Sequence, residues 1–597
     1  MSAGGKNHKE VQAIAEIPKH LKPFTTEQDP SLYSWIDHAG WRFIMQLSAD
    51  YFEERAHPIY RQGLKATGIS IERIPLISEM DEALKKFGWR AVNVSGFIPP
   101  AAFLEFMELG ILPIACEMRK VENLNYTPAP DIVHEAAGHA PILADIEYAN
   151  YVKSYGKVAT KAIFSKKDIQ LFEAIRALSD IKEKPSSTEE QIALAQKNFE
   201  RAYSDLDYVS ESTQLARMSW WTIEYGMIGD LNKPVIYGAG LLSSLGESFH
   251  TFDKNVKKIP LSQDCIHQAY DITKHQPQLY VAPNIESMKK ILEDYANTMA
   301  FRVGGSYALG KAKHADTTTT TVIDSGLNIT GVVKNFSCDA ETDYPSFLNI
   351  KGPLQLSLNG KELADWTTKT LPKRILSPMG APTEFSIDGK SQKDWWNINF
   401  NLQKGRLLKA TFESGLSIEG KIAEGVSLDG RNLFLNLTGY KYHCCYENKT
   451  YELENTLLLF GTIVPSVYGG AGDQPAYLEA TEEQVYVSNT HQANYDTAEY
   501  QDLISAYKSV RDMREAKTPD STKLNEIITL LAEQYPKDWL LRWELLEINT
   551  KLNLSAPWEE QISSELEGMK TTYPQNKELI DRGLSYLAKL KTQKSAA

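Results

Sequence analysis

Tyr126–Asp145 reads YTPAPDIVHEAAGHAPILAD and carries two histidines, His134 and His139. His134 and Glu135 begin like the HExxH helix, in which two histidines four apart share one face and grip a metal. Here position 138 is Gly and the second histidine is His139, five residues after the first. A regular helix would splay the two rings, so metal binding by this pair demands a different local geometry. A thiolate-rich zinc site is poorly served, because Cys116 is the sole cysteine among residues 1–264. Two nearby histidines taken alone are more often surface or hydrogen-bonded core residues, so the neighbouring blocks must decide.

Working outward, the 597 residues exceed what one core holds. At roughly 100–200 residues per domain the length fits about three to five domains. With 42% hydrophobic, 10% aromatic and 24% charged residues, the composition is that of a folding chain and excludes a disordered or fibrous one. A net charge of −13 argues against broad attraction to nucleic acid or to an anionic membrane surface. The five cysteines are few and dispersed, as free thiols of a reducing compartment would be. No window reaches the ~18–20 apolar residues that span a bilayer, and the N-terminus lacks a secretory apolar core. The expectation is a cytoplasmic protein with no nucleic-acid or membrane partner.

The hydrophobic pattern divides the chain. Residues 1–312 show mainly helical periodicity, as in SLYSWIDHAGWRFIMQLSADYFEER. Residues 313–325, with five consecutive threonines, read as an exposed linker. Residues 326–475 carry short β-type runs, and Asn359-Gly360, Asp388-Gly389 and Asp429-Gly430 between them are hairpin signals. Residues 476–597 return to a helical period, with two segments that each run an amphipathic helix into Tyr-Pro. The expected fold is multidomain: a mainly α domain, an all-β domain and a C-terminal helical segment.

Three further blocks accompany the histidines in chain order: RAVNVSGFIPPAAFLEFMELGILPIACEMRK (Arg90–Lys120), SWWTIEYGMIGD (Ser219–Asp230) and YGAGLLSSLGE (Tyr237–Glu247). Together they resemble the iron- and tetrahydropterin-dependent aromatic amino acid hydroxylases, over about residues 20–312, with a bacterial-like catalytic domain and a C-terminal extension. By that resemblance His134, His139 and Glu224 ligate the iron. Two neutral imidazoles and one carboxylate on a single face of Fe(II) leave positions open for water and O2, as a non-haem oxygenase requires.

The resemblance assigns the remaining roles. Arg119 holds the substrate carboxylate, and Asp131 orients its guanidinium. Thr127, Pro130, Trp220 and Ser243 are further substrate contacts, with Pro130 and Trp220 walling the aromatic side chain and Ser243 also bonding a ligating histidine. Gly96, Phe97 and Ile98 approach the pterin by their backbone, Phe103 stacks on it, and Glu135 sits near it. Glu135, Arg119 and Asp131 are thus the expected catalytic set. Ala129 stands where relatives commonly carry Glu, and Ser219 where animal members often carry Tyr.

The implied activity is a monooxygenase that hydroxylates the ring of a free aromatic amino acid, L-phenylalanine to L-tyrosine, with Fe(II), tetrahydrobiopterin or a related tetrahydropterin, and O2. Ile272 falls where family members differ in substrate preference, and an apolar residue there suits Phe or Trp better than a phenol. The alternatives are a tryptophan hydroxylase and a binding or scaffold protein with a vestigial hydroxylase domain. The C-terminal half is expected to offer a surface for a protein partner or for self-association.

Overall fold

The structure is a computed structural model that describes residues 16–125, 130–183, 187–272, 274–444, 448–481 and 493–596. Its contacts divide the chain into two compact units that do not follow the expected linear order. The first comprises Met1–Gly156, Arg217–Lys289 and Tyr486–Ala597, and the second Lys157–Ala216 and Lys290–Val485. The boundary expected at residue 312 is therefore displaced, and the C-terminal helices share a unit with the histidine region.

In the first unit, the helix Trp35–Tyr51 starts at a reciprocal cap in which Ser34 accepts from the Asp37 amide and Asp37 accepts from the Ser34 amide. Most of its first three turns are buried, including Trp41, Phe43, Ile44 and Met45. Phe43 meets Trp539 and Trp543 edge-on at ring-centroid distances of 5.0 and 4.8 Å, so the C-terminal helices contribute to the same core. The helix Leu540–Leu552 is buried nearly all round although it carries Arg542, Glu544 and Glu547. Those charges are paired: Arg42 and Arg514 both reach Glu544, Arg42 also grips Glu547, and Arg542 meets Glu565.

Two small sheets frame the chemistry of this unit. Arg90–Val94 pairs in parallel with Ile111–Ala115 across the helix Pro100–Leu109. Four short strands align in the order Val235–Ile236, Met227–Ile228, Gln278–Ala282, Lys257–Pro260.

The second unit holds two antiparallel sheets. One contains Lys361–Glu362, Pro345–Leu358, Asn328–Cys338, Thr319–Val322 and Ser466–Gly469 in that order, with Arg374–Pro378 also pairing Pro345–Leu358. The other runs Lys390–Ser391, Pro382–Ile387, Leu407–Phe412, Ser417–Leu428, Arg431–Cys444, Lys449–Leu459. All three hairpin signals form two-residue turns, with positive φ at Asn359-Gly360, Asp388-Gly389 and Asp429-Gly430.

The threonine-rich stretch is not an exposed linker. The helix Gly305–Ala315 runs into it, and Thr319–Val322 is a strand between two others, with Thr319, Thr320 and Thr321 fully buried. β-Branching suits threonine to a pleated strand, and the buried hydroxyl of Thr320 finds Thr330 Oγ1 and the Gly470 carbonyl, both at 2.8 Å.

Candidate metal centre

His134 and His139 lie on a π-helical turn, Val133–His139. The wider turn of i→i+5 bonding brings residues five apart back toward one face, which resolves the spacing that a regular helix could not. The two Nε2 atoms are 3.3 Å apart, and the rings meet at 86°. Glu224 ends a second π-helical turn, Trp220–Glu224, closed by a 2.7 Å bond from the Tyr225 amide to the Trp220 carbonyl. Its Oε2 is 3.3 Å from His134 Nε2 and its Oε1 is 3.3 Å from His139 Nε2. All three ligand atoms fall within 4.8 Å of one another, the geometry of a shared cation. Burial raises the Glu224 carboxyl, but His139 and His134 outweigh it and hold the group well below the usual carboxylate range.

The turn is pressed against the helix Ala239–Ser243. A Cβ at Gly138 would lie 2.6 Å from the Ala239 carbonyl oxygen, so this close approach excludes any side chain. The same helix carries Ser243, whose hydroxyl lies 3.0 Å from His134 Nδ1 and 2.8 Å from the Ala239 carbonyl. The carbonyl can only accept, so the hydroxyl donates to it and accepts from His134 Nδ1–H. His134 then carries its proton on Nδ1 and presents a bare Nε2 to the centre.

Arg119 and Asp131 form a buried bidentate pair, with Nε to Oδ2 and Nη2 to Oδ1 each 2.7 Å. Asp131 also accepts from the Arg119 amide and, through Oδ1, from the His134 amide at 3.0 Å. Arg119 Nη1 donates to the Ser243 carbonyl at 3.0 Å. Ser243 therefore touches both the histidine and the arginine, and Asp131 caps the histidine turn while fixing the arginine plane.

Glu135 is buried, with Oε2 3.9 Å from His139 Nε2 and without a hydrogen-bond partner among the described residues. Burial pushes its carboxyl up to about 8, with His139 pulling it down and Glu224 and Asp131 adding to the rise. A buried carboxyl oxygen left open beside the triad fits contact with a polar ligand.

Trp220 is sandwiched between Tyr225 and Tyr270, at ring-centroid distances of 4.3 and 4.1 Å. Its indole Nε1 is buried without a partner among the described residues. Pro130 and Ile272 are half-buried, Pro130 beside Asp131 and Ile272 two residues past Tyr270. Thr127 and Ala129 lie outside the described residues.

Gly96, Phe97 and Ile98 form the turn between the strand Arg90–Val94 and the helix Pro100–Leu109, and Phe103 lies half-buried on that helix. Gly96 has φ 58°, with no atom within 4 Å of where a Cβ would stand, so its backbone is open to a ligand. Glu117 ties this turn down by accepting from Ser95 Oγ at 2.5 Å and from the Gly96 amide at 3.2 Å. Glu117 and Tyr270 join the site without being marked by any motif of the sequence. Glu117 could have been sought two residues before Arg119, whereas nothing local marks Tyr270 as a partner of Trp220.

The chain matches the family model described as biopterin-dependent aromatic amino acid hydroxylase over residues 9–173 and 200–342. It is similar to a phenylalanine-4-hydroxylase of Chromobacterium violaceum, 29% identical over 231 residues, which are 38% of this chain and 63% of that relative. The chain thus spans just under two thirds of that relative's length. A tyrosine 3-monooxygenase of Drosophila melanogaster is 26% identical over 301 residues, covering 49% of this chain and 44% of the relative. The solved phenylalanine hydroxylase of C. violaceum with bound iron(III) and 7,8-dihydrobiopterin is 23% identical, with a TM-score of 0.36, over 47% of this chain and 92% of that one.

Proposed function

The chain belongs to the biopterin-dependent aromatic amino acid hydroxylases, and from that membership we propose that it hydroxylates the ring of free L-phenylalanine to give L-tyrosine. Iron and a biopterin are its cofactors. The reading is carried by one arrangement: the His134–His139–Glu224 cluster and the buried Arg119–Asp131 pair are joined, through Ser243 and through the Asp131 carboxylate on the His134 amide.

In this reading the three clustered side chains hold Fe(II), and with iron bound, two imidazoles and one carboxylate leave coordination positions open for oxygen chemistry with a tetrahydropterin. The residues of the chain bind and orient. Arg119, its plane set by Asp131, receives the substrate carboxylate as a planar cation. Trp220, braced by Tyr225 and Tyr270, walls the aromatic ring together with Pro130, and Thr127 and Ser243 complete the amino-acid end. Gly96, Phe97, Ile98 and Phe103 receive the pterin on the turn that Glu117 anchors. Glu135 holds a polar edge of that ring through its open oxygen.

The half-buried, apolar Ile272 supports phenylalanine over a phenolic substrate. Purified full-length protein given Fe(II), tetrahydrobiopterin, O2 and equal L-phenylalanine and L-tryptophan should yield tyrosine as the main product. Predominant 5-hydroxytryptophan would replace the substrate assignment, and absence of any hydroxylated amino acid would remove the activity.

A further inference from the structure

The segment that carries Arg119 is gripped from the C-terminal region, far along the chain but in the same compact unit. Asn494 Nδ2 donates to the Met118 carbonyl at 2.6 Å, directly before Arg119, and to Asp37 Oδ1 at 2.8 Å. The Val121 amide, two residues after Arg119, donates to the Tyr495 hydroxyl at 3.1 Å. Farther on, Asn125 donates through Nδ2 to Glu578 Oε2 at 3.2 Å and accepts through Oδ1 from Arg582 Nη1 at 2.8 Å. The Asn125 carbonyl meanwhile accepts from the Gly246 amide and from Ser244 Oγ, at 3.0 and 3.1 Å.

These contacts have a common target. They go to the backbone on either side of Arg119 and to the last described residue before Pro130, while Arg119 itself is held by Asp131 and Ser243. Tyr495 is buried, and Asp37, which orients Asn494, is buried in the helix Trp35–Tyr51. The turn at Asn494 and Tyr495 supplies partners for backbone groups on either side of Arg119, and the helix Lys577–Ala596 fixes the Asn125 side chain, which the short 3₁₀ turn Val121–Asn123 cannot do for itself.

We infer that the C-terminal helical region is a built-in positioning element for the substrate-anchoring loop, with Asn494 and Tyr495 setting the backbone at Arg119 and Glu578 and Arg582 setting Asn125. The inference rests on Arg119 as the substrate anchor. It gives the extension beyond the family match a task at the active site instead of a separate partner. Asn494, Tyr495 and Arg582 are positioning residues that touch neither substrate nor iron.

The test uses the full chain with Tyr495→Phe, Asn494→Ala, Arg582→Ala and, for comparison, Arg119→Lys. Tyr495→Phe keeps the buried ring and deletes one hydroxyl, so it preserves the fold. Each positioning variant should raise KM for L-phenylalanine about 2- to 10-fold, as loss of one or two hydrogen bonds implies, with iron content and the KM for tetrahydrobiopterin unchanged. Hydrogen exchange of the peptide spanning residues 118–125 should quicken in parallel. Unchanged exchange in Tyr495→Phe and Arg582→Ala overturns the hold on the loop, and quicker exchange with unchanged KM overturns its role in substrate positioning. If Arg119→Lys leaves KM unaltered, the anchor itself is misassigned and the proposed function, not the loop contact, has failed.

Discussion

The hydroxyl of Ser243 is spent as a donor on the Ala239 carbonyl, so it accepts a hydrogen bond from His134 Nδ1–H and leaves Nε2 bare toward His139 and Glu224. The same residue's carbonyl accepts from Arg119. One side chain and one backbone oxygen thereby link the His134–His139–Glu224 cluster to Arg119, the proposed substrate anchor.

Ser243→Ala removes the acceptor that selects the His134 tautomer. Loss of such an outer partner typically weakens metal affinity about 10- to 100-fold. The variant should bind Fe(II) correspondingly less tightly in a chelator competition, with its circular dichroism unchanged; wild-type affinity would show that the hydroxyl does not govern the ligand.

Gly138→Ala tests the close approach of the two helical segments. The added methyl would lie 2.6 Å from the Ala239 carbonyl oxygen and must push the turn away from Ser243. Overpacking of this kind costs about 1–3 kcal/mol. Thermal unfolding should report that loss and metal analysis should show reduced iron, whereas a fully loaded variant of unchanged Tm would mean the backbone moves freely there.

Arg119→Lys keeps the charge and discards the planar fork that Asp131 and Ser243 hold. KM for the amino acid should rise at least tenfold while iron content stays stoichiometric. Asp131→Asn, which leaves the guanidinium without its counter-charge, should move the same parameter in the same direction.

The buried cluster of Arg42, Arg514, Glu544 and Glu547 predicts how the first unit responds to acid. Burial pushes the Glu547 carboxyl up, but Arg42, then Lys551 and Arg514, outweigh it and hold it at about 2 against an ordinary 4.5. A depressed carboxyl adds stability that is complete above its unfolded value and disappears as pH falls toward the folded one. Denaturant midpoints should therefore drop between pH 4.5 and 2, and Glu547→Leu should flatten that slope.

Breaking that cluster one-sidedly should cost far more than removing the pair. Glu547→Leu leaves Arg42 buried without its main partner, a loss of about 3–5 kcal/mol. Adding Arg42→Met should recover much of it in urea unfolding. Strict additivity of the two losses would show that the charges act independently.

How far the sequence reached differs from element to element. The Asn-Gly and Asp-Gly hairpins were legible because a two-residue turn is a local matter of which residues accept positive φ. The threonine run misled because composition does not say what will cover a segment; only pairing with Asn328–Cys338 and Ser466–Gly469 made it an interior strand. At the candidate metal centre the side-chain types and their order are legible in the sequence, while the five-residue spacing of the histidines is an obstacle for a regular helix. A π-helical turn removes it, and that turn depends on packing against Ala239 through Gly138.

The sequence by itself determined the chemistry on offer: two imidazoles, a carboxylate, an arginine and an aspartate in a family's order, for those are covalent facts of the chain. Tertiary structure alone decided the His134 tautomer, the sandwich of Trp220 between two tyrosines, and the placement of Tyr495 against the loop after Arg119. Each of these needs at least one partner distant along the chain, Ser243 for His134, Tyr270 for Trp220 and Tyr495 for Val121, and such contacts exist only once the intervening segments have buried their apolar faces and brought the partners together.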